Sequence, residues 1–170
     1  MRRFFVVFIG LQLLLFGIEL LEPVQTHFVL PVTALLAHVC SSLIGAVDAN
    51  AVAYGKVLMN PKTGFGISIE PGCNGIEACI VLLAAIVAFP STWTHKLIGL
   101  GVGLVAVQLL NIVRVISLFY LGQWNMAWFN FAHSYLWQAL IMLDVLVVFM
   151  VWARRYARPP TGPSVHAAAA

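Results

Sequence analysis

Cys73 is a candidate nucleophile because it stands just before an apolar segment. The segment 76–89 begins three residues later, and Gly72 and Gly75 flank the thiol closely. A helix N-terminus presents unpaired N–H groups and a partial positive charge, which favour a thiolate and can hold an oxyanion. Glycines also let a substrate backbone approach. The pattern predicts a nucleophilic cysteine with a lowered pKa, although a thiol in this place is often a buried small hydrophobe.

Arg114 is a charged residue inside the apolar run 97–121. It lies about 10 Å from the end of that run, given the rise of a helix. A charge at such depth in a membrane costs at least about 2.5 kcal/mol and marks a functional site. We expect Arg114 to stabilise a thiolate or an oxyanion, with Glu77 holding the guanidinium in an ion pair.

His133 opens the apolar segment 132–152 and is the predicted base. An imidazole can take the proton of a thiol and return it to a leaving amine. His38, in the stretch 28–47, is the rival base. Asn74 follows the nucleophile in the same turn and is expected to support it.

Asn111 and Asp144 are polar residues that lie deeper in apolar segments. Their depths, about 15 Å and 16 Å by helical rise, predict a hydrogen bond between two helices. A small transporter or an assembly subunit without chemistry at Cys73 would instead use Asp144 together with Glu77. That alternative stays open on these residues alone.

The composition is that of a membrane protein. The 170 residues are 62% hydrophobic and 9% charged, with a mean hydropathy of +0.97. Soluble domains carry about 25% charged residues. The net charge of +3 comes largely from arginines at the ends of apolar segments, so no surface for nucleic acid is expected. Cys40, Cys73 and Cys79 have no metal-ligand spacing, and neither a metal nor a cofactor is expected.

The apolar segments predict an all-α polytopic membrane protein with about four transmembrane helices. Arg2 and Arg3 precede the run 4–18, which has no signal-peptide cleavage site after it and is expected to remain as an anchor. The other predicted spans are 76–89, 97–121 and 132–152.

Two segments differ from these spans. The stretch 28–47 has apolar residues at helical spacing on one side and polar residues on the other, which predicts an interfacial or re-entrant helix. The stretch 51–70 alternates around a turn at 60–64, which predicts a small extracytoplasmic β-hairpin. Residues 1–155 are expected to form a single integral-membrane domain, and 156–170 a disordered cytoplasmic tail.

Basic residues predict the orientation, since they concentrate on the cytoplasmic side. The residues that place that side are Lys96, Arg154, Arg155 and Arg158. The spans then alternate so that Cys73 and His133 both lie at the outer face. The stretch 28–47 must begin and end outside, which agrees with an interfacial helix.

The order of these residues resembles that of the exosortase/archaeosortase family. The shared features are Gly72-Cys73-Asn74-Gly75, Asn111-x-x-Arg114 and His133, all beside apolar segments. The resemblance covers residues 2–155. It is nearest to the short exosortase H subgroup through the runs 70–85, 116–124 and 136–144.

The resemblance implies a cysteine protease or transpeptidase of the bacterial inner membrane, with its active site facing the periplasm. Such proteins are held to process the C-terminal sorting signal of exported proteins, which consists of a short motif, a membrane helix and a basic end. For this subgroup the motif is similar to an Ile-Pro-Thr-Leu signal. The expected partners are membrane lipid, the helix of that signal and an acceptor nucleophile that the sequence does not identify.

The family's cysteine, arginine and histidine correspond to Cys73, Arg114 and His133. The expected mechanism is attack by Cys73 to form a thioester, with Arg114 steadying negative charge and His133 protonating the leaving segment. The hairpin and the stretch 28–47 would roof the site. Addition of a strand to the edge at 65–70 is one way to read the motif.

Overall fold

A computed structural model describes residues 2–47 and 50–156, which are mostly helical. The helices are α1 (Arg2–Glu19), α2 (Glu22–Gly45), α3 (Ile76–Ala88), α4 (Trp93–Trp124) and α5 (Met126–Tyr156). Two of them contain a π-helical turn, α2 at Gln25–Val29 and α5 at Ala132–Leu136. The predicted all-α polytopic membrane class is confirmed.

A small antiparallel sheet lies between α2 and α3, with its three strands in the order β1–β2–β3. The strands are β1 (Val52–Tyr54), β2 (Val57–Met59) and β3 (Gly66–Ser68). Leu58 of the central strand faces Ala53 on one side and Ile67 on the other. The predicted hairpin is present around 60–64. A further tight turn, in which Gly55 has a φ of +55°, adds the third strand.

Four helices form a bundle, namely α1, α3, α4 and α5, and each runs antiparallel to the one before it in this series. α1 packs along α3, and α3, α4 and α5 pack against one another. Away from Cys73, Trp152 Nε1 donates to the His95 carbonyl at 2.8 Å, and Lys96 Nζ donates to the Val87 carbonyl at 2.5 Å. The second bond satisfies a carbonyl that the end of α3 leaves without a helical partner. We call the end of the bundle that contains these two bonds the Lys96 end, and the opposite end the Cys73 end.

Length and composition make three of the described helices able to cross a membrane, namely α2 with 24 residues, α4 with 32 and α5 with 31. The predicted spans 97–121 and 132–152 thus lie in long apolar helices. The predicted spans 4–18 and 76–89 form α1, with 18 residues, and α3, with 13. The stretch 28–47, predicted to be interfacial, belongs to a helix that is long enough to span.

α2 covers the sheet and the half of α4 nearest to Cys73. One apolar core joins these elements and contains Leu36, Ala37, Cys40, Ile44, Leu58, Ile69, Val115 and Phe119. The exposed side of α2 is itself amphipathic: Leu35, Val39 and Leu43 lie along one flank, and His38 and Ser42 along the other. α2 therefore holds the sheet against the bundle while presenting a mixed outer surface.

The described residues exclude 157–170, so of the tail predicted at 156–170 only Tyr156 is seen, as the last residue of α5. Residues 48 and 49, which follow the stretch 28–47, are also outside them. The division into a domain at 1–155 and a tail stays a prediction.

Gly99 allows α4 and α5 to approach closely at the Lys96 end. A Cβ at this position would collide with the indole of Trp152, whose Nε1 is held by the His95 carbonyl. We expect Gly99→Ala to lower the free energy of unfolding by about 1–3 kcal/mol, as overpacking does. Unfolding by denaturant in detergent micelles would measure the change.

Gly101 provides the matched control, since a Cβ there meets nothing within 4 Å. Gly101→Ala is expected to keep the stability or to raise it by up to about 1 kcal/mol through helix propensity. Equal stability of the two variants would contradict the close packing at Gly99.

Candidate active site

A tight loop between β3 and α3 positions Cys73. The Cys73 N–H donates to the Glu70 carbonyl at 2.9 Å, and Gly72 and Gly75 have φ values of +85° and +79°. Residues with a Cβ are strained in this left-handed region, so both positions favour glycine. The Gly72 N–H donates to Glu77 Oε1, which ties the loop to the first turn of α3.

Asn74 joins the loop to three helices. It is 1% exposed, and its Oδ1 accepts from the Ile76 N–H at 3.0 Å, which forms an Asx turn at the start of α3. Its Nδ2 donates to Thr33 Oγ1 of α2, and its carbonyl accepts from Gln108 Nε2 of α4, each at 3.3 Å. A buried polar network with satisfied groups is rigid, so Asn74 fixes the backbone beside the thiol.

Arg114 approaches the loop from α4 and is 2% exposed. Its Nη1 donates to the Gly72 carbonyl at 3.3 Å, and its Nη2 donates to Cys73 Sγ at 3.4 Å. The predicted ion pair with Glu77 is wrong, since no such pair forms in residues 2–47 and 50–156. Gly72 is the shared partner instead: its carbonyl binds Arg114 and its N–H binds Glu77.

His133 approaches the thiol from α5, with Nε2 at 3.1 Å from Cys73 Sγ. It lies in the π-helical turn Ala132–Leu136, a kind of turn that recurs at functional sites. The ring of Phe129 stacks on the imidazole, with centroids 5.6 Å apart and planes inclined by 7°. Apart from Cys73, no described side chain hydrogen-bonds to the imidazole, so the stack on Phe129 is the contact that orients the ring.

Burial raises the pKa of the Cys73 thiol above its usual value. The Arg114 charge opposes that effect, whereas the carboxylates of Glu77 and Glu70 add to it. The predicted lowering of this pKa by the helix N-terminus is therefore wrong for the resting site. A neutral thiol needs a base, and His133 is at hydrogen-bond distance. Transfer of the proton would leave a thiolate beside the guanidinium.

Cys73 and His133 line two neighbouring cavities. The inner one, of about 40 Å³, lies against Arg114 and Phe129. The outer one, a cleft of about 360 Å³, runs between β3 and the beginning of α5, and its size is that of a ligand site. A groove of about 340 Å³ between α4 and α5 lies far away, at the Lys96 end. The sequence analysis missed Phe129, whose spacing of four residues from His133 was the available signal.

Asn111 and Asp144 do not meet as predicted. Asn111 is 0% exposed, and neither atom of its amide has a hydrogen-bond partner among the described residues, so the bond to Asp144 is wrong. Asn111 instead packs against Gly75, where a Cβ would lie 3.1 Å from its Nδ2.

His38, the rival base, is exposed on α2 and lines neither cavity. The described residues contain no cluster of three or more His, Cys, Asp or Glu suited to a metal ion.

Comparison with known proteins places the chain in a family. The family model described as Transmembrane exosortase (Exosortase_EpsH) matches residues 1–153. The chain belongs to the exosortase family. The family that the motifs indicated is thereby confirmed, and this exosortase is a multi-pass membrane protein in contact with lipid. No curated protein and no solved structure matches the chain.

The thiol of this exosortase should titrate at a pH that depends on Arg114. Since the guanidinium lowers the pKa of Cys73, its removal in Arg114→Gln should raise that pKa further. Alkylation by a maleimide requires the thiolate. The rate should therefore rise with pH through a midpoint above that of a free cysteine, and Arg114→Gln should shift the midpoint upward.

The midpoint is more informative than the rate, because the substitution can also change access to the thiol. The measurement would follow labelling in detergent micelles from about pH 6 to pH 10, a range that brackets the ordinary thiol value. Cys73→Ala gives the background from Cys40 and Cys79. An unchanged or lower midpoint in Arg114→Gln would contradict the electrostatic role of Arg114.

Proposed function

We propose that this exosortase is a membrane-embedded cysteine peptidase or transpeptidase that reacts through a thioester on Cys73. The observation that carries the proposal is the position of Cys73 Sγ, 3.1 Å from His133 Nε2 and 3.4 Å from Arg114 Nη2. Such a reaction needs a base within hydrogen-bond reach of the nucleophile and a donor near the charge that develops.

The first half of the reaction forms the thioester. His133 takes the thiol proton, and the Cys73 thiolate attacks the carbonyl carbon of the scissile peptide bond. A C–S bond forms, and the carbonyl electrons move onto an oxyanion near Arg114, whose charge is already fixed in place. When the C–N bond breaks, the imidazolium of His133 gives its proton to the leaving amine.

The second half releases the acyl group. His133, neutral again, takes a proton from an acceptor nucleophile, which attacks the thioester carbon. The C–S bond breaks, and the thiolate takes the proton back from His133. Water as the acceptor gives hydrolysis, and an amine gives transfer. Because Arg114 contacts both Sγ and the Gly72 carbonyl, the loop keeps one geometry through both halves.

The substrate we propose is the C-terminal sorting signal of an exported protein, with a short motif, a membrane helix and a basic end. The family resemblance supports this class. The positions of Arg154 and Arg155 at the Lys96 end support an orientation with that end in the cytoplasm. Cys73 would then face the periplasm of a bacterial inner membrane.

A small transporter is the second candidate, and Asp144 is the observation that favours it. Its Oδ2 is buried without a hydrogen-bond partner among the described residues. A transporter that used this carboxylate would lose function in Asp144→Asn and keep it in Cys73→Ala. Glu77, the other residue of that hypothesis, has a different role here, because it holds the Gly72 N–H of the thiol loop.

Cys73→Ala should abolish processing of a tagged reporter that ends in a sorting signal. The reporter would be expressed with the exosortase, and its size followed on a gel at matched exosortase levels. Cys79→Ala is the matched control, since Cys79 is a free thiol that lies close by on α3 and contacts Gln108. Processing that survives Cys73→Ala would overturn the proposal.

Arg114→Lys tests whether two donors are needed. A lysine keeps the charge but cannot bind the Gly72 carbonyl and Cys73 Sγ together in the fixed geometry of a guanidinium. We expect kcat to fall by about 10²–10³, the loss seen when one oxyanion donor is removed. Full activity in Arg114→Lys would show that charge alone is sufficient.

Phe129 is expected to position His133, because its ring stacks on the imidazole. Phe129→Leu keeps an apolar side chain but removes the stack, and should lower kcat about threefold to tenfold. Phe129→Tyr keeps the stack and should retain most of the activity. A rise in KM with kcat unchanged would assign Phe129 to substrate binding instead.

A further inference from the structure

The outer edge of β3 has no partner strand. β3 is the last strand of the sheet, so only one of its two edges pairs with β2. Two bonds beside the strand fix which residues face β2: the Asn60 N–H donates to the Phe65 carbonyl, and the Ile69 N–H donates to the Lys56 carbonyl. In an antiparallel ladder the bonded residues alternate.

The alternation turns the backbone groups of Gly66 and Ser68 outward. Phe65, Ile67 and Ile69 bond toward β2, so the residues between them present their N–H and C=O to the free edge. No backbone hydrogen bond joins Gly66 or Ser68 to a described segment outside the sheet. An edge of this kind is a template for another extended chain.

This free edge opens onto the nucleophile. The 360 Å³ cleft is lined by β3 and the residues beside it, by the beginning of α5, and by Cys73 and His133. Phe65, Gly66, Ile67 and Ser68 line it consecutively. A cleft over one face of a strand would meet alternate residues only, so this cleft lies along the edge.

The charges around the cleft indicate an uncharged occupant. Glu70 lies at its rim, and Lys56 neutralises that carboxylate at 2.5 Å while Ser68 Oγ donates to it at 2.6 Å. The other lining residues are apolar or small, apart from Cys73 and His133. The site therefore suits an extended peptide that offers backbone hydrogen bonds and no charge.

We propose that the outer edge of β3 binds the substrate segment as a fourth strand and delivers its scissile carbonyl to Cys73. This inference rests on the proposed function. It adds a binding mode in which backbone bonds from Gly66 and Ser68 hold the chain, and cleft-facing side chains read it.

The direction of that strand follows from the course of β3. β3 runs along α4 toward the thiol. Phe65, just before the strand, packs at Gly122, whereas Ile69, just after it, packs with Val115, which is closer to the thiol. In the proposed orientation, a substrate whose exported domain precedes its membrane helix enters the membrane in the same direction, from the periplasm inward. The added strand therefore runs parallel to β3.

Cysteine cross-linking tests the binding mode without requiring catalysis. In a Cys73→Ala background, Ser68→Cys would be paired with a reporter that carries single cysteines at successive positions before its membrane helix. Neighbouring strands lie about 5 Å apart, which is within disulfide range. We expect adducts at alternate reporter positions, since side chains alternate between the two faces of a strand.

Tyr54→Cys is the matched control, because Tyr54 is exposed on β1, the opposite edge strand. Tyr54→Cys should form no disulfide with the reporter, so no adduct should disappear when a reducing agent is added. Adducts without alternation, none at Ser68→Cys, or equal adducts at both sites would overturn the inference.

Proline substitution tests the same edge by activity. Ser68→Pro removes an outward N–H and leaves the β2–β3 bonds intact, which edge strands tolerate. Because it also removes the Ser68 Oγ bond to Glu70, its reference is Ser68→Ala, which loses that bond alone. Ser68→Pro should lower kcat/KM about tenfold relative to Ser68→Ala, the effect of one or two lost hydrogen bonds. Ala53→Pro, at an outward position of β1, should stay near wild type. An equal effect of the two prolines would reject the edge as the binding site.

The two proposals fail in different ways. If alternating adducts form but Cys73→Ala still processes the reporter, the cysteine chemistry is wrong and the binding mode stands. If Cys73→Ala abolishes processing and no alternating adducts form, the chemistry stands and the binding mode is wrong.

Discussion

Arg114 is 2% exposed, and a charge buried so deeply in an apolar bundle must find polar partners. It finds two in the loop before α3, the Gly72 carbonyl and Cys73 Sγ. Gly72, which offers the carbonyl and precedes the thiol, has a left-handed φ of +85°. Glu77 holds the same residue from its other side, because its carboxylate accepts from the Gly72 N–H. The buried charge thereby sets the loop, and the loop sets the position of the thiol.

The same burial explains why the site needs a base. It raises the pKa of Cys73, so the thiol stays neutral at rest and is protected from indiscriminate oxidation. His133 supplies the missing function, and it is held by a stack on Phe129 rather than by a carboxylate. The stack occupies the face of the ring and neither nitrogen, so Nε2 can accept the thiol proton. It also brings no second negative charge to a site where an oxyanion must form.

The residues of the active site could be predicted from the sequence, because charged and polar residues are easily recognised among apolar ones. Cys73, Arg114 and His133 were singled out in that way, and the structure brings them together. The partners were not predictable. Whether Arg114 meets Glu77 or Gly72 depends on side-chain direction and loop geometry, which spacing does not encode. The third strand was missed because a two-residue turn at Gly55 interrupts a stretch that reads as one strand.

The most direct test of the cysteine mechanism is capture of its covalent intermediate. Purified exosortase in micelles would be mixed with a reporter carrying a sorting signal, quenched in acid and examined by mass spectrometry. The mechanism predicts an adduct on Cys73 whose mass equals the reporter up to the scissile bond, released by hydroxylamine as thioesters are. If an amine rather than water is the acceptor, the adduct should also accumulate when no amine is present. Processing without an adduct on Cys73, or an adduct elsewhere, would contradict the account.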